Sequence, residues 1–368
     1  MNAFARLLSI ALLCAASFTC NAATPLLKAI LPKPVLPGVP KDAPCQDDVV
    51  SKLCLMETII WLRGMPLTAM WHQQDYQQLD RLLLALCAED TRLPDGQPEI
   101  LVFSRTFVRQ FNTWKDWSGV GTTLRAWRSK SPDSPAQALL EALYWQAYAW
   151  HGRGGGYAGS VPPEGWELFR ERMAKARARL EDAKAVAGNC PLWHSTYIDV
   201  LIDSNVARDR LDAAYDDAVK AFPESQQIHF SMSRAKQRKW GGAPGEYERF
   251  ARRAAGLSQR SEGGAMYARL FWIRDYDDEF EFGRPGDPDW KRMKAGFEDM
   301  LRRYPDQVHN RNKYASYACR ANDRDTYLKQ RQELGDAIED EQWPESWKVD
   351  VCDRRMAKNT DSGPVQKK

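Results

Sequence analysis

Histidine is scarce in this 368-residue chain: there are five, and no two lie closer than 35 residues. That excludes a local zinc pair of the H-E-x-x-H kind, which needs two imidazoles one helical turn apart. The Gly-Lys-Ser/Thr of a phosphate loop is absent, and neither Ser118 nor Ser160 stands in a G-x-S-x-G elbow, which argues against a hydrolase of that class. Charge of one sign is lacking too. A net charge of +3 offers no electrostatic case for nucleic acid, which needs clustered cations facing phosphates. Period-two alternation is rare, so strands are not expected. Beyond the first residues no apolar run approaches the ~20 residues of a spanning helix.

What is present starts with Arg6, an apolar run from Leu7 to Phe18, and the small-residue site Cys20-Asn21-Ala22 before Ala23. This is the layout of a secretory signal over residues 1–22, and it predicts a periplasmic or secreted protein, with a retained anchor as the alternative. Lipid attachment at Cys20 is poorly supported, because Phe18 and Thr19 are bulky. Cleavage after Ala22 removes Arg6 and no acid, leaving a charge of +2. Six cysteines remain, and an even number in an exported chain predicts disulfides. Two separations are equal at 33 residues, about the length of a helical hairpin: Cys54 to Cys87 and Cys319 to Cys352. Those two bridges are the favoured pairs, with buried thiols as the alternative.

Residues 23–44 include PKPVLPGVPKDAP, whose prolines fix the backbone and remove donors, so an extended spacer is expected. Apolar residues then recur at steps of three and four. Examples are Phe103, Phe107 and Phe111; Phe169, Met173, Ala176 and Leu180; Tyr247, Phe250 and Ala254; and Trp290, Met293 and Phe297. Such spacing puts each set on one stripe of a helix. KAFPES at 220–225 and RRYPDQ at 302–307 each close a helix with an aromatic residue and a proline. The predicted fold is all-α, with helical hairpins stacked as an irregular tetratricopeptide-like α-solenoid. Residues 45–204 form a less regular helical half, 205–357 four repeat-like pairs, and 358–368 a disordered tail.

Several stretches invite chemistry. HGRGGGYAGSVPPEGW, residues 151–166, resembles a phosphate loop in composition but follows a helix instead of a strand. It is better explained as a helix stop and restart, with left-handed glycines, Arg153 near the negative helix end and Pro162-Pro163-Glu164 opening the next helix. His151, Arg153 and Tyr157 remain its candidate ligand set. KWGGAPGEYERFARRAA, from 239 to 255, has the same grammar. CPLWH places His194 four residues after Cys190, which makes a nucleophile and base only if exposed; a core or disulfide cysteine is favoured. The acidic run at Asp275, Asp277, Glu279 and Glu281 lacks the glycine and closing glutamate of a calcium loop and is expected to be solvated. Arg170, Arg172, Lys175, Arg177 and Arg179 are expected on a wet helix face. Tryptophan is plentiful, at 14 residues, and Trp145, Trp150, Trp343 or Trp347 could line a groove, although most aromatics fall on the apolar stripes.

The segment HGRGGGYAGSVPPEGWELFRERMAKARARL, the segment KWGGAPGEYERFARRAA and MYARLFW at 266–272 together resemble the bacterial family catalogued as domain of unknown function 4034. The likeness spans most of residues 70–335 and implies a bacterial, mostly helical protein. It carries no catalytic residue, cofactor or metal. The resulting expectation is an exported, non-enzymatic scaffold that meets another protein or an envelope polymer. The alternatives are an envelope hydrolase with carboxylates from different helices, and a small-molecule sensor using the 151–157 loop.

Overall fold

Short polar side chains mark where helices begin. Asp75, Asp116, Ser134, Asp289 and Asp323 each accept a hydrogen bond from the backbone N–H three residues on, satisfying a donor that the first turn leaves open. Pro135, Pro163 and Pro191 occupy first helical positions, where a missing N–H costs nothing. The computed structural model describes residues 56–274, 280 and 282–358. Among them are seventeen helices, and the strand-like pairing is a single bridge between Arg92 and Pro98. The signal, the spacer, Cys45, Cys54, the five acidic residues of the 275–281 run and the tail from 359 lie outside the described residues.

The first helices are α1 (Met56–His72), α2 (Tyr76–Ala88), α3 (Ile100–Trp114), α4 (Trp117–Lys130), α5 (Pro135–Arg153), α6 (Pro163–Asp182), the one-turn α7 (Lys184–Ala187) and α8 (Pro191–Asp203). They continue as α9 (Arg208–Ala221), α10 (Gln226–Ala235), α11 (Glu246–Leu257), the one-turn α12 (Gln259–Glu262), α13 (Ala265–Arg274), α14 (Trp290–Arg303), α15 (Val308–Arg320), α16 (Arg324–Leu334) and α17 (Val349–Lys358). The tightest pairings are α5 with α6, α8 with α10, α13 with α14, and α15 with α16, which makes the molecule an all-α stack of helical hairpins. The expected stripes are its buried faces. Phe103, Phe107 and Phe111 on α3 are fully enclosed, and so are Met293 and Phe297 on α14. Burying each such side chain contributes about 1.5–3 kcal/mol. Phe222 and Tyr304 cap α9 and α14 just before Pro223 and Pro305, as the two proline signatures predict. The longer helices of this half start at 208, 226, 246, 265, 290, 308, 324 and 349, at uneven spacing. One apolar core runs from Ile198 to Tyr317, and a second closes the end of the stack from Ala315 to Met356.

The turn between α9 and α10 is locked by a buried histidine. The Tyr215 hydroxyl donates to His229 Nδ1 at 2.9 Å, and Nε2 donates to the Pro223 carbonyl at 2.8 Å. Burial drives the His229 pKa down to about 4, against the pull of the Pro223 carbonyl. The imidazole is therefore neutral at neutral pH.

Two expectations need correction. Cys319 and Cys352 are bridged as their spacing predicts, but Cys87 is bonded to Cys190, 103 residues away, and not to Cys54. The reason is packing: α5 lies against both α2 and α8, which carries the end of α2 to the cap of α8, with the two Cα atoms 4.8 Å apart. Equal spacing along the chain has no bearing on that contact. Cys190 is thus a disulfide cysteine and no nucleophile. Arg179 is not on a wet face either. It is buried in the seam between α5 and α6, where Nε meets Glu141 Oε2 at 2.9 Å and Nη2 donates to Gln137 Oε1 at 2.6 Å. Helical geometry places Arg179 beside Ala176 and Leu180, so the stripe that buries them buries it too.

The segment from 89 to 99, between α2 and α3, folds back on itself through Leu93 N–H to Gln97 O at 2.7 Å and Glu99 N–H to Thr91 O at 2.9 Å. It plugs into the later helices. Arg92 Nη1 reaches the buried Glu262 at 3.2 Å, Gly96 O accepts from Gln226 Nε2 at 2.9 Å, and the Asp95 carbonyl accepts from Arg269 at 2.7 Å and Asn310 at 3.1 Å. Gly96 is required there: its φ is +88°, and a Cβ would lie 2.2 Å from the Tyr304 ring.

Candidate functional site

Because α5 packs against α3 on one side and α8 on the other, it forms the floor of a cleft and keeps two walls apart. One wall is α1 with α3, the other α8 with α10, and Ile273 at the end of α13 joins the lining. The first wall is narrow at its base, since Gly64 of α1 approaches Thr106 of α3 so closely that a Cβ would fall 2.2 Å from Oγ1. The enclosed volume is about 680 Å³, within the range that holds small ligands. Ile60, Met65, Leu101, Leu143, Leu192 and Phe230 supply apolar surface. Trp61, Arg105 and Arg109 lie at its exposed edge.

The second wall carries a fixed set of charges. Arg234 on α10 reaches Asp203 Oδ1 through Nη1 at 2.8 Å and Asp199 Oδ1 through Nη2 at 3.3 Å. Asp203 is fully enclosed, and its other oxygen accepts from Gln146 and from the Trp150 indole, each at 3.0 Å. Asp199 differs. It accepts from Ser231 Oγ at 2.8 Å and is set deep among protein atoms, yet 33% of its side chain still faces the cleft. Desolvation raises its pKa, opposed by Arg234 and the Ser231 hydroxyl.

Beside this cluster are polar groups with no protein partner. Gln227 is 4% exposed, and neither its amide nitrogen nor its amide oxygen has a hydrogen-bond partner among the described residues. The same holds for Gln237 Oε1, in a side chain 5% exposed, and for Arg234 Nε. All three residues line the cleft. A buried amide without partners costs about 1–3 kcal/mol. The neighbouring Gln226 differs in its nitrogen, which donates to Glu262 at 2.8 Å and to Gly96 O, while its Oε1 is likewise without a partner among the described residues.

The residues singled out from sequence are placed elsewhere. In the 151–157 loop, Arg153 donates to the Gly154 and Gly156 carbonyls at 3.0 Å and lies between the rings of Trp150 and Trp166. His151 lies against Trp117, and Tyr157 is 93% exposed. α5 ends at Arg153, and Gly154 follows at φ +79°, so the glycines stop the helix. The loop does not border the cleft. His194 Nε2 donates to the Gly188 carbonyl at 2.9 Å, His309 contacts Glu339 at 2.8 Å, and no group of three metal-ligating side chains occurs among the described residues. Trp343 bonds Asn312 in the terminal core, Trp145 lies under Lys175, and Trp347 under Arg355, so none of the four named tryptophans lines the cleft.

The cleft residues were missed because each is a common polar residue on a helix. A signal was present: Gln227, Ser231 and Arg234 follow steps of four and three on α10, and Ser195 and Asp199 a step of four on α8. Polar stripes of this kind, facing each other, are what a lined cleft requires.

Fold and site together define a helical-repeat protein with a cleft of buried, unpaired polar groups. No family model, curated protein or solved structure matches the chain.

Proposed function

We propose that this protein is exported and works by binding, holding a ligand in the cleft over α5 without turning it over. The observation that carries the reading is the cleft of about 680 Å³, in which Asp199 keeps 33% of its side chain exposed and whose lining includes Gln227, an amide without a partner among the described residues. Export is supported by the two bridges, Cys87–Cys190 and Cys319–Cys352, since disulfides persist in oxidising compartments. No helix among the described residues is long and apolar enough to cross a membrane. Binding is favoured over hydrolysis because the cleft-lining residues include one carboxylate, Asp199, where glycoside cleavage takes two. The resemblance to domain of unknown function 4034 adds no residue role to this reading.

The test pairs turnover with binding. The purified mature chain should leave peptidoglycan and casein intact, while the small-molecule fraction of a bacterial envelope extract raises its Tm and Gln227→Met abolishes that rise. Cleavage of either polymer that Asp199→Asn abolishes without lowering Tm would replace the binding reading with a catalytic one.

A further inference from the structure

Resting on that reading, we infer that the cleft takes a neutral disaccharide, its hydroxyl rim on Asp199 and Arg234 and the C–H face of a ring on Trp61. The wall of α8 and α10 puts a matched ion pair at the cleft surface. Asp199 is 33% exposed and Arg234 25%, and the two meet at 3.3 Å while the enclosed Asp203 holds the guanidinium from the buried side. Each of the two facing charges is already answered, so an ion of either sign would have to displace a partner. What the pair keeps is hydrogen-bonding capacity. A carboxylate has about four lone-pair sites, and at Asp199 the Ser231 hydroxyl and Arg234 take up part of them. Arg234 Nη1 meets Asp203 and carries a second N–H. An acceptor and a donor side by side suit neighbouring hydroxyls, one donating to Asp199 and the other accepting from Arg234.

The half-buried hydroxyls that line the cleft point to the same ligand. Ser231 gives its hydrogen to Asp199 at 2.8 Å, Ser104 to the Leu101 carbonyl at 3.2 Å and Thr68 to the Gly64 carbonyl at 3.4 Å. A hydroxyl has one hydrogen to donate, so each of these offers the cleft its lone pairs. A purely apolar ligand would dry these acceptors and leave them unmatched. The hydroxyl hydrogens of a sugar match them. Across the cleft, Trp61 of α1 stands 43% exposed at the edge. Its flat apolar surface suits the C–H face of a sugar ring, whose rim stays polar. The volume of about 680 Å³ holds a small ligand and no folded partner.

The experiment titrates the full mature chain calorimetrically with maltose, cellobiose and chitobiose, and with two charged relatives, maltobionate and the diamine left when chitobiose loses its acetyl groups. At least one neutral disaccharide should bind, with an affinity that salt does not move, since no ion takes part. Neither charged relative should bind more tightly than its parent. Asp199→Asn should weaken the sugar about tenfold by withdrawing a charged acceptor. Trp61→Ala, at a position already open to solvent, should weaken it about tenfold with Tm unchanged. A bound disaccharide indifferent to either variant overturns the placement, and a charged relative that binds more tightly than its parent overturns the neutral class. Failure of all three neutral sugars overturns the inference. The cleft reading then stands if the envelope extract still raises Tm, and falls with it if the extract does not.

Discussion

Removing the Cys87–Cys190 bridge, by the double change Cys87→Ser and Cys190→Ser, lowers the unfolding free energy by about 4–5 kcal/mol and Tm by roughly 10 °C. The size follows from the loop it closes, 103 residues, because a cross-link removes more freedom from the unfolded chain the longer the loop. The Cys319–Cys352 bridge closes 33 residues and contributes less, about 3–4 kcal/mol. A reductant should therefore lower Tm in the parent more than in either bridge-deleted variant. Non-reduced peptide mapping checks the pairing itself. A linked peptide holding Cys87 and Cys190 is expected; one holding Cys54 and Cys87 contradicts the helix packing that brings α2 to α8.

Glu262→Gln is the second large effect, a loss of about 3–5 kcal/mol. Glu262 is fully buried and receives Arg92 at 3.2 Å, Arg269 at 3.1 Å and Gln226 at 2.8 Å. Neutralising it leaves the Arg269 guanidinium, 4% exposed, without its carboxylate, and leaves Arg92, 12% exposed, paired with Asp90 alone. A deletion of one partner in such a cluster costs more than the cluster itself contributes, because the charge left behind stays desolvated. The location of the damage is also specific. Arg92 belongs to the 89–99 loop, and Arg269 holds that loop's Asp95 carbonyl, so the loop should come away from α13 and α15 first. Limited proteolysis should cut between 89 and 99 in Glu262→Gln at temperatures where the parent resists. A variant as stable and as resistant as the parent would mean that the loop is held by other contacts.

The helices were legible because their cause is local. Three-and-four spacing of Phe103, Phe107 and Phe111, or of Met293 and Phe297, requires a buried helical face whatever the neighbours are. The stops at Phe222 and Tyr304 were legible for the same reason. The Cys319–Cys352 bridge could be read from spacing, since it joins helices close in sequence. Cys87–Cys190, the docking of the 89–99 loop and the burial of Arg179 depend on contacts between distant segments, which periodicity does not encode. The glycine loop drew attention by composition, and the structure uses it to end α5. The cleft escaped notice for the opposite reason: Gln227 and Asp199 are unremarkable in sequence and become exceptional only when α8, α10 and α5 enclose them.

The central claim is that the Gln227 amide is kept for something other than the fold, and urea unfolding of two adjacent variants tests it most directly. Gln226→Met removes an amide bonded to Glu262 and Gly96 and should lower stability by about 1–3 kcal/mol. Gln227→Met fills the same space without the unsatisfied groups and should raise stability by about 1 kcal/mol, since sites held for binding are rarely optimal for folding. If Gln227→Met instead destabilises the chain as much as Gln226→Met, that amide is part of the fold and the cleft loses its claim to a ligand.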